Sequence, residues 1–185
     1  MHNDRMKMKR KQNTRLVKPS LKLQAEFMDM VQDFVAAGEG EKEFECRHAL
    51  EDVAKYINDC HSWEKGKALP DGWVSESAFW LIRDDNVILG TSYLRHKLNG
   101  NLRKLGVHIG YKIRPSQRRK GYGTAILNLT IAKARLFGLK RVLVTCDDDN
   151  IASAKIIEKN AGVLKDKCDR VQPGKLTRRY WIDLK

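Results

Sequence analysis

The chain has no apolar stretch long enough to cross a bilayer and no signal-like N-terminal segment, so no membrane partner is expected and the expected location is cytoplasmic. Cysteine is sparse. Cys46, Cys60, Cys146 and Cys168 form no Cys-x-x-Cys pair and no Cys/His set at zinc spacing, which predicts reduced thiols and no metal site. The six-position glycine fingerprint of dinucleotide folds is missing, and so is the Gly-Lys-Ser/Thr ending of a P-loop, which removes nicotinamide and nucleoside triphosphate as first readings. Internal repeats and low-complexity segments are absent too. Acidic residues are the minority, 23 against 36 Lys and Arg, for a formal charge of +13. More than half of that excess lies in residues 1–22, where eight Lys/Arg face only Asp4. Residues 1–14 are expected to be a disordered basic arm ahead of a single domain over 15–185. The arm reads as a solvated tail or as a weak site for RNA or an acidic partner. Without interleaved aromatics such an arm supplies only salt-sensitive, sequence-blind attraction, so nucleic acid is not the expected partner.

What is present organises into short elements. Leu21, Phe27, Met30, Val31, Phe34 and Val35 at mostly helical spacing predict a helix over 21–37, and Gly38 and Gly40 stop it. A second helix is expected within 41–66 on Ala49, Val53, Tyr56 and Ile57, beside the acidic set Glu39, Glu41, Glu43, Glu45, Glu51 and Asp52. That set reads as a solvated face or as an attraction for a cationic acceptor. Residues 78–83 and 87–98 predict a hairpin around Asp84-Asp85-Asn86, Asn99-Gly100-Asn101 another turn, and 107–113 a strand ended by Arg114-Pro115. A long helix over 122–137 is drawn on Ala125, Leu129, Ala132 and Leu136, flanked by Ile126, Ile131 and Phe137, with Gly138 at its end. A buried strand 141–146, a short helix 152–160 and two strands around Pro173-Gly174 complete an α/β (α+β) fold, a mixed sheet with helices on both faces.

The segment Arg118-Arg119-Lys120-Gly121-Tyr122-Gly123-Thr124 sits between the strand at 107–113 and the long helix. A helix start offers unpaired backbone N–H groups and the positive end of the helix dipole, and glycines let a phosphate approach without meeting a Cβ. This is a candidate pyrophosphate cradle, although Arg119 and Lys120 also read as solvated loop charges. Arg118-x-x-Gly121-x-Gly123 after a strand ending in Pro resembles the acetyl-CoA loop of the GCN5-related N-acetyltransferases (the GNAT superfamily). His108-Ile-Gly-Tyr-Lys-Ile-Arg-Pro is similar to that family's fourth strand. Asp149-Asn150-Ile-Ala-Ser153-Ala-Lys-Ile-Ile157 is similar to its Asn-x-x-Ser/Ala helix. The likeness runs from about Leu16 to Leu184 and is nearest to a bacterial subgroup of acetyltransferases with unassigned acceptor.

The resemblance implies a GNAT fold with strands four and five splayed around acetyl-CoA and transfer of the acetyl group to a primary amine by direct attack. The backbone of Ile113 would meet the pantetheine arm, Arg118 to Thr124 the pyrophosphate, and Asn150 and Ser153 the CoA arm, with helix capping an equal reason for Asn150. His108 stands where many relatives have a Glu base, so it reads as a base or as a core histidine. Ile157 stands where many relatives have a proton-donating tyrosine, which leaves Tyr111, Tyr122 and Tyr180 as candidate donors. Cys146 reads as core rather than as an acyl-cysteine nucleophile. The acceptor is a small-molecule or protein amine, and a homodimer stays open. The competing classes are a CoA-binding module without catalysis and an RNA-associated protein acting through the arm.

Overall fold

The computed structural model describes residues 13–100, 102, 107–172 and 174–184. Of the basic arm expected over 1–14, only Asn13 and Thr14 fall within this range, and Thr14 already opens a strand. Asn101 and Pro173, read as turn residues, lie outside it. The first sheet has strand order β1-β2-β3-β4, all antiparallel, from β1 (Thr14–Val17), β2 (Glu76–Arg83), β3 (Ile88–Arg95) and β4 (Ile109–Ile113). The second has order β5-β7-β6, from β5 (Arg141–Asp147), β6 (Val163–Gln172) and β7 (Lys175–Asp183).

Helices α1 (Gln24–Ala36) and α2 (Phe44–Glu64) cover one face of the first sheet. α1 buries Phe27, Met30, Val31 and Phe34 of the six residues its spacing predicted, while Val35 is exposed and Leu21, also exposed, lies in a 3-10 turn ahead of the helix. Phe27 stacks between Trp80 of β2, at 4.5 Å, and Tyr56 of α2, at 5.6 Å. α2 is kinked at Asp52, whose backbone is extended (φ −160°, ψ 98°) and whose carboxylate accepts from the Lys55 N–H at 2.9 Å, restarting the helix as a cap.

On the opposite face α3 (Tyr122–Leu136) packs against both sheets, with α4 (Ile151–Lys159) beside it. The expected inward stripe of α3 is rotated. Ile126, Leu127, Thr130, Ile131 and Ala134 are buried, and Leu136, read as inward, is 80% exposed. The reason is that α3 packs on residues of both sheets and needs a face wider than one row.

The two sheets join at His108. Its N–H donates to the Leu143 carbonyl at 2.7 Å, its own carbonyl accepts from the Arg95 N–H at 2.8 Å, and its Nδ1 accepts from the Leu143 N–H at 2.9 Å. Beyond that seam β4 pairs only with β3 and β5 only with β7, so the strands part toward the cradle. A cleft between β4 and β5 is the result.

Candidate functional site

Four pieces converge on this cleft: the end of β4, the loop after it, the first turn of α3 and the start of α4. Pro115 opens a short 3-10 turn, Pro115–Gln117, and Arg118 is extended. Arg119 (φ 63°) and Gly121 (φ 86°) then adopt left-handed backbone. Left-handed backbone is easy for glycine and costs an arginine roughly 1 kcal/mol, which the fold must supply. Turns of this kind gather successive backbone N–H groups around an anion. Gly121 is the N-cap of α3, and no side chain caps that first turn. Its N–H groups and the positive end of the dipole carry no side-chain cap, the arrangement that suits an anion.

Each cradle side chain has a definite place. The Arg118 guanidinium grips Glu39 through both terminal nitrogens, at 2.7 and 2.5 Å, and its Nε donates to the Ile113 carbonyl at 3.1 Å. The Glu39 hydrogen bond holds the guanidinium above its ordinary value, and the same contact holds the Glu39 carboxyl below its own. Lys120 Nζ donates to the Ser116 carbonyl and to Gln117 Oε1, both at 3.0 Å. Arg119 makes no side-chain hydrogen bond or ion pair among the described residues. Gly123 has a packing reason: a Cβ there would lie 2.6 Å from Ile156 Cδ1, so this glycine lets α3 approach α4. The Thr124 carbonyl accepts from Asn160 Nδ2 at 3.3 Å, a second tie between those helices.

At the start of α4, Asn150 Oδ1 accepts from the Ser153 N–H at 3.0 Å, which makes Asn150 a helix cap. Ser153 Oγ is 2.9 Å from the Tyr111 hydroxyl, and the Cys146 thiol reaches Ser153 from β5. Burial pushes the Tyr111 phenol up to about 12 and also raises the Cys146 thiol, so both stay protonated at neutral pH. A raised thiol is the reverse of what an acyl-cysteine route needs. Ile157 is fully buried in the core. Tyr180 is buried with its hydroxyl donating to Glu158 Oε1 at 3.1 Å, so it serves the α4–β7 contact. Tyr122 is half-buried on α3.

His108 does not have the geometry of a base. Burial, then Arg95 and Arg141, push its imidazole down to about 4, and Nδ1 is already occupied by the Leu143 N–H. These contacts fit the core-histidine reading. The acidic set is corrected likewise. Glu39 holds Arg118, Glu43 and Glu45 hold Lys112 of β4, Glu45 also accepts from Thr91 Oγ1 at 3.0 Å, and Asp52 caps. Four of the six carboxylates are thus engaged within the protein, leaving Glu41 and Glu51 exposed. Sequence reading missed Asp33 and Glu39 as partners of the cradle. They lie 83 and 79 residues from Ser116 and Arg118, so no local pattern could pair them.

No helix among the described residues is long and apolar enough to cross a membrane, and no three His, Cys, Asp or Glu side chains among them gather as a metal site.

The family model for the acetyltransferase (GNAT) domain matches residues 25–162. Solved structures share the fold at low identity. A GNAT-family acetyltransferase from Bacillus anthracis is 18% identical, with 94% of this chain and 97% of that chain covered and a TM-score of 0.63. The microcin C7 self-immunity acetyltransferase MccE, solved with acetyl-CoA and AMP, is 15% identical, with 92% of each chain covered and a TM-score of 0.69. A Salmonella typhimurium acetyltransferase that modifies the N-terminal serine of ribosomal protein L7/L12 is 14% identical, with 93% and 95% covered and a TM-score of 0.66. No curated protein matches the chain. With the family domain spanning residues 25–162, most of the sequence, the chain belongs to the GNAT acetyltransferase family.

Proposed function

We propose that the protein transfers an acetyl group from acetyl-CoA to a primary amine by direct attack, with no covalent enzyme intermediate. The observation that carries this reading is the uncapped first turn of α3, preceded by left-handed Arg119 and Gly121, at the mouth of the β4/β5 cleft. The residues fit the donor. Backbone N–H groups of 119–124 would receive the pyrophosphate, and the parted edge of β4 at Tyr111–Ile113 would meet the pantetheine arm as an added strand does. Acetyl-CoA supplies an activated acetyl thioester.

The chain's own chemistry follows from what stays protonated. Ser153 Oγ holds a proton within reach of the Tyr111 hydroxyl, and this pair stands in for the tyrosine that Ile157 replaces. The proton that the amine loses as the amide forms is the one the CoA sulfur needs: Ser153 gives its proton to the departing sulfur, Tyr111 gives one to Ser153, and Tyr111 regains one from the acylated nitrogen. A thiol pKa near 8.5 makes this a modest demand. The amine must arrive neutral. With His108 held near 4, a lysine-like amine of pKa about 10.4 costs about 4.6 kcal/mol at pH 7, whereas an α-amine of about 7.8 costs about 1 kcal/mol. An α-amine of a peptide or small molecule is therefore the easier acceptor. The Salmonella enzyme that modifies an N-terminal serine acts on an acceptor of that kind.

Calorimetric titration with acetyl-CoA, followed by thiol release across a panel of α-amino and side-chain amines, tests the reading. Micromolar binding and turnover with an α-amine are expected. Absence of acetyl-CoA binding overturns it. Binding without turnover on any amine would leave a CoA-binding module instead.

A further inference from the structure

The cradle is tied to α1 and the turn after it by a ladder of contacts across three successive loop positions. Arg114 Nε donates to Asp33 at 2.7 Å and its NH2 to Asp29 at 2.7 Å. Ser116 donates to Asp33 Oδ2 from its backbone N–H at 3.3 Å and from its hydroxyl at 2.5 Å. Arg118 closes the ladder with its two-pronged grip on Glu39. Burial pushes the Asp33 carboxyl up, but the Ser116 and Arg114 hydrogen bonds outweigh it and hold the group below its ordinary value. Every nitrogen of the Arg118 guanidinium is thereby used inside the protein, two on a carboxylate and one on a strand carbonyl. Arg119, one residue on, has left-handed backbone, is exposed and has no side-chain partner among the described residues.

We propose that Glu39 is a positioning residue for the cofactor loop: it holds Arg118 as a strut that shapes the loop, and the phosphate-facing cation is Arg119. This deepens the acetyl-CoA reading and rests on it. A guanidinium whose fork is committed to a carboxylate has lost its two-pronged face for a second anion, and releasing it would also free the Ile113 carbonyl at the edge of the cleft. A strut across 79 residues of sequence fixes the loop relative to α1, so the left-handed turn at 119–121 is formed before any ligand arrives.

The alternative, that Glu39 merely parks a phosphate-binding Arg118, predicts the opposite sign. If Arg118 is the ligand, Glu39→Gln releases it and acetyl-CoA binds more tightly. If Arg118 is a strut, Glu39→Gln loosens the loop and acetyl-CoA binds more weakly, by about fivefold for a partly exposed pair. Arg118→Gln should then cost a similar factor, and the Glu39→Gln/Arg118→Gln double variant little more than either single. Arg119→Gln should weaken binding by at least as much, without coupling to Glu39.

Glu39→Gln and Arg119→Gln titrated with acetyl-pantetheine, which lacks the pyrophosphate, separate a loop effect from general damage; Arg118→Gln is left out of this comparison because it also frees the Ile113 carbonyl beside the pantetheine arm. Unchanged acetyl-pantetheine affinity is expected, and an equal loss for both ligands overturns the proposal in favour of a purely structural pair. Tighter acetyl-CoA binding by Glu39→Gln, or additive losses in the double variant, also overturns it. Failure of the wild-type protein to bind acetyl-CoA at all would instead remove the function reading beneath it.

Discussion

His108 gives the sharpest test because two roles for one residue predict opposite results. Its Nδ1 accepts the Leu143 N–H at the only backbone seam described between the two sheets, and its imidazole is pushed down to about 4 by burial and by Arg95 and Arg141. The folded-state value lies below the ordinary 6.5, so between the two the unfolded chain takes up a proton that the folded chain refuses. The stabilisation is complete above about pH 6.5 and is lost as pH falls toward 4, for a total of about 3 kcal/mol. His108→Asn keeps an oxygen acceptor for the Leu143 N–H but cannot titrate. His108→Leu leaves that buried N–H unsatisfied, at about 1–3 kcal/mol. Urea unfolding from pH 7.5 to 4 should show wild type losing about 3 kcal/mol more than His108→Asn, with His108→Leu weak throughout. Over pH 6 to 9, kcat/KM of wild type and His108→Asn should trace the same curve, because a group at about 4 does not change charge there. A turnover inflection near pH 6.5 that disappears in His108→Asn would refute the reasoning and restore the base role.

Ser153→Ala should lower kcat by about tenfold or more while leaving acetyl-CoA affinity within about twofold, as measured by steady-state kinetics beside calorimetry. Tyr111→Phe should give a smaller loss that vanishes in the Ser153→Ala background, since it acts through the serine. Gly90→Ala would set a Cβ 2.3 Å from the Lys112 carbonyl oxygen of β4, which is backbone and cannot step aside. A loss of about 2–3 kcal/mol is expected, read as a fall of about 5–10 °C in Tm, and an unshifted melt would contradict the β3–β4 packing.

The parts of the fold readable in sequence were those with local causes. The left-handed Gly121, the end of β4 at Arg114-Pro115, the Asn150 cap and the α1 stripe each follow from a residue and its near neighbours. β1 was missed because Thr-Arg-Leu-Val carries little strand signal alone and is made a strand by pairing with β2 from Arg83 to Trp80. The inward face of α3 was misjudged because it depends on two sheets meeting beneath it. For the site, the loop and its glycines were legible, but the role of each charge was not. Whether Arg118 faces a ligand or Glu39, and whether His108 is wet or sealed against Leu143, is decided by residues far along the chain.

The thiols carry a practical corollary. Cys46 and Cys60 are buried beneath α2 and burial pushes both up to about 12, and Cys146 is raised in the cleft wall, so these sulfurs scarcely form thiolate at working pH. Cys168, on β6, is the one cysteine that is not buried. A colorimetric thiol reagent mixed with the native protein should therefore report a baseline close to one equivalent, against which freshly liberated CoA stands out. The fold thus keeps its own sulfur quiet in the assay that follows acetyl transfer, and unfolding would announce itself as three further equivalents.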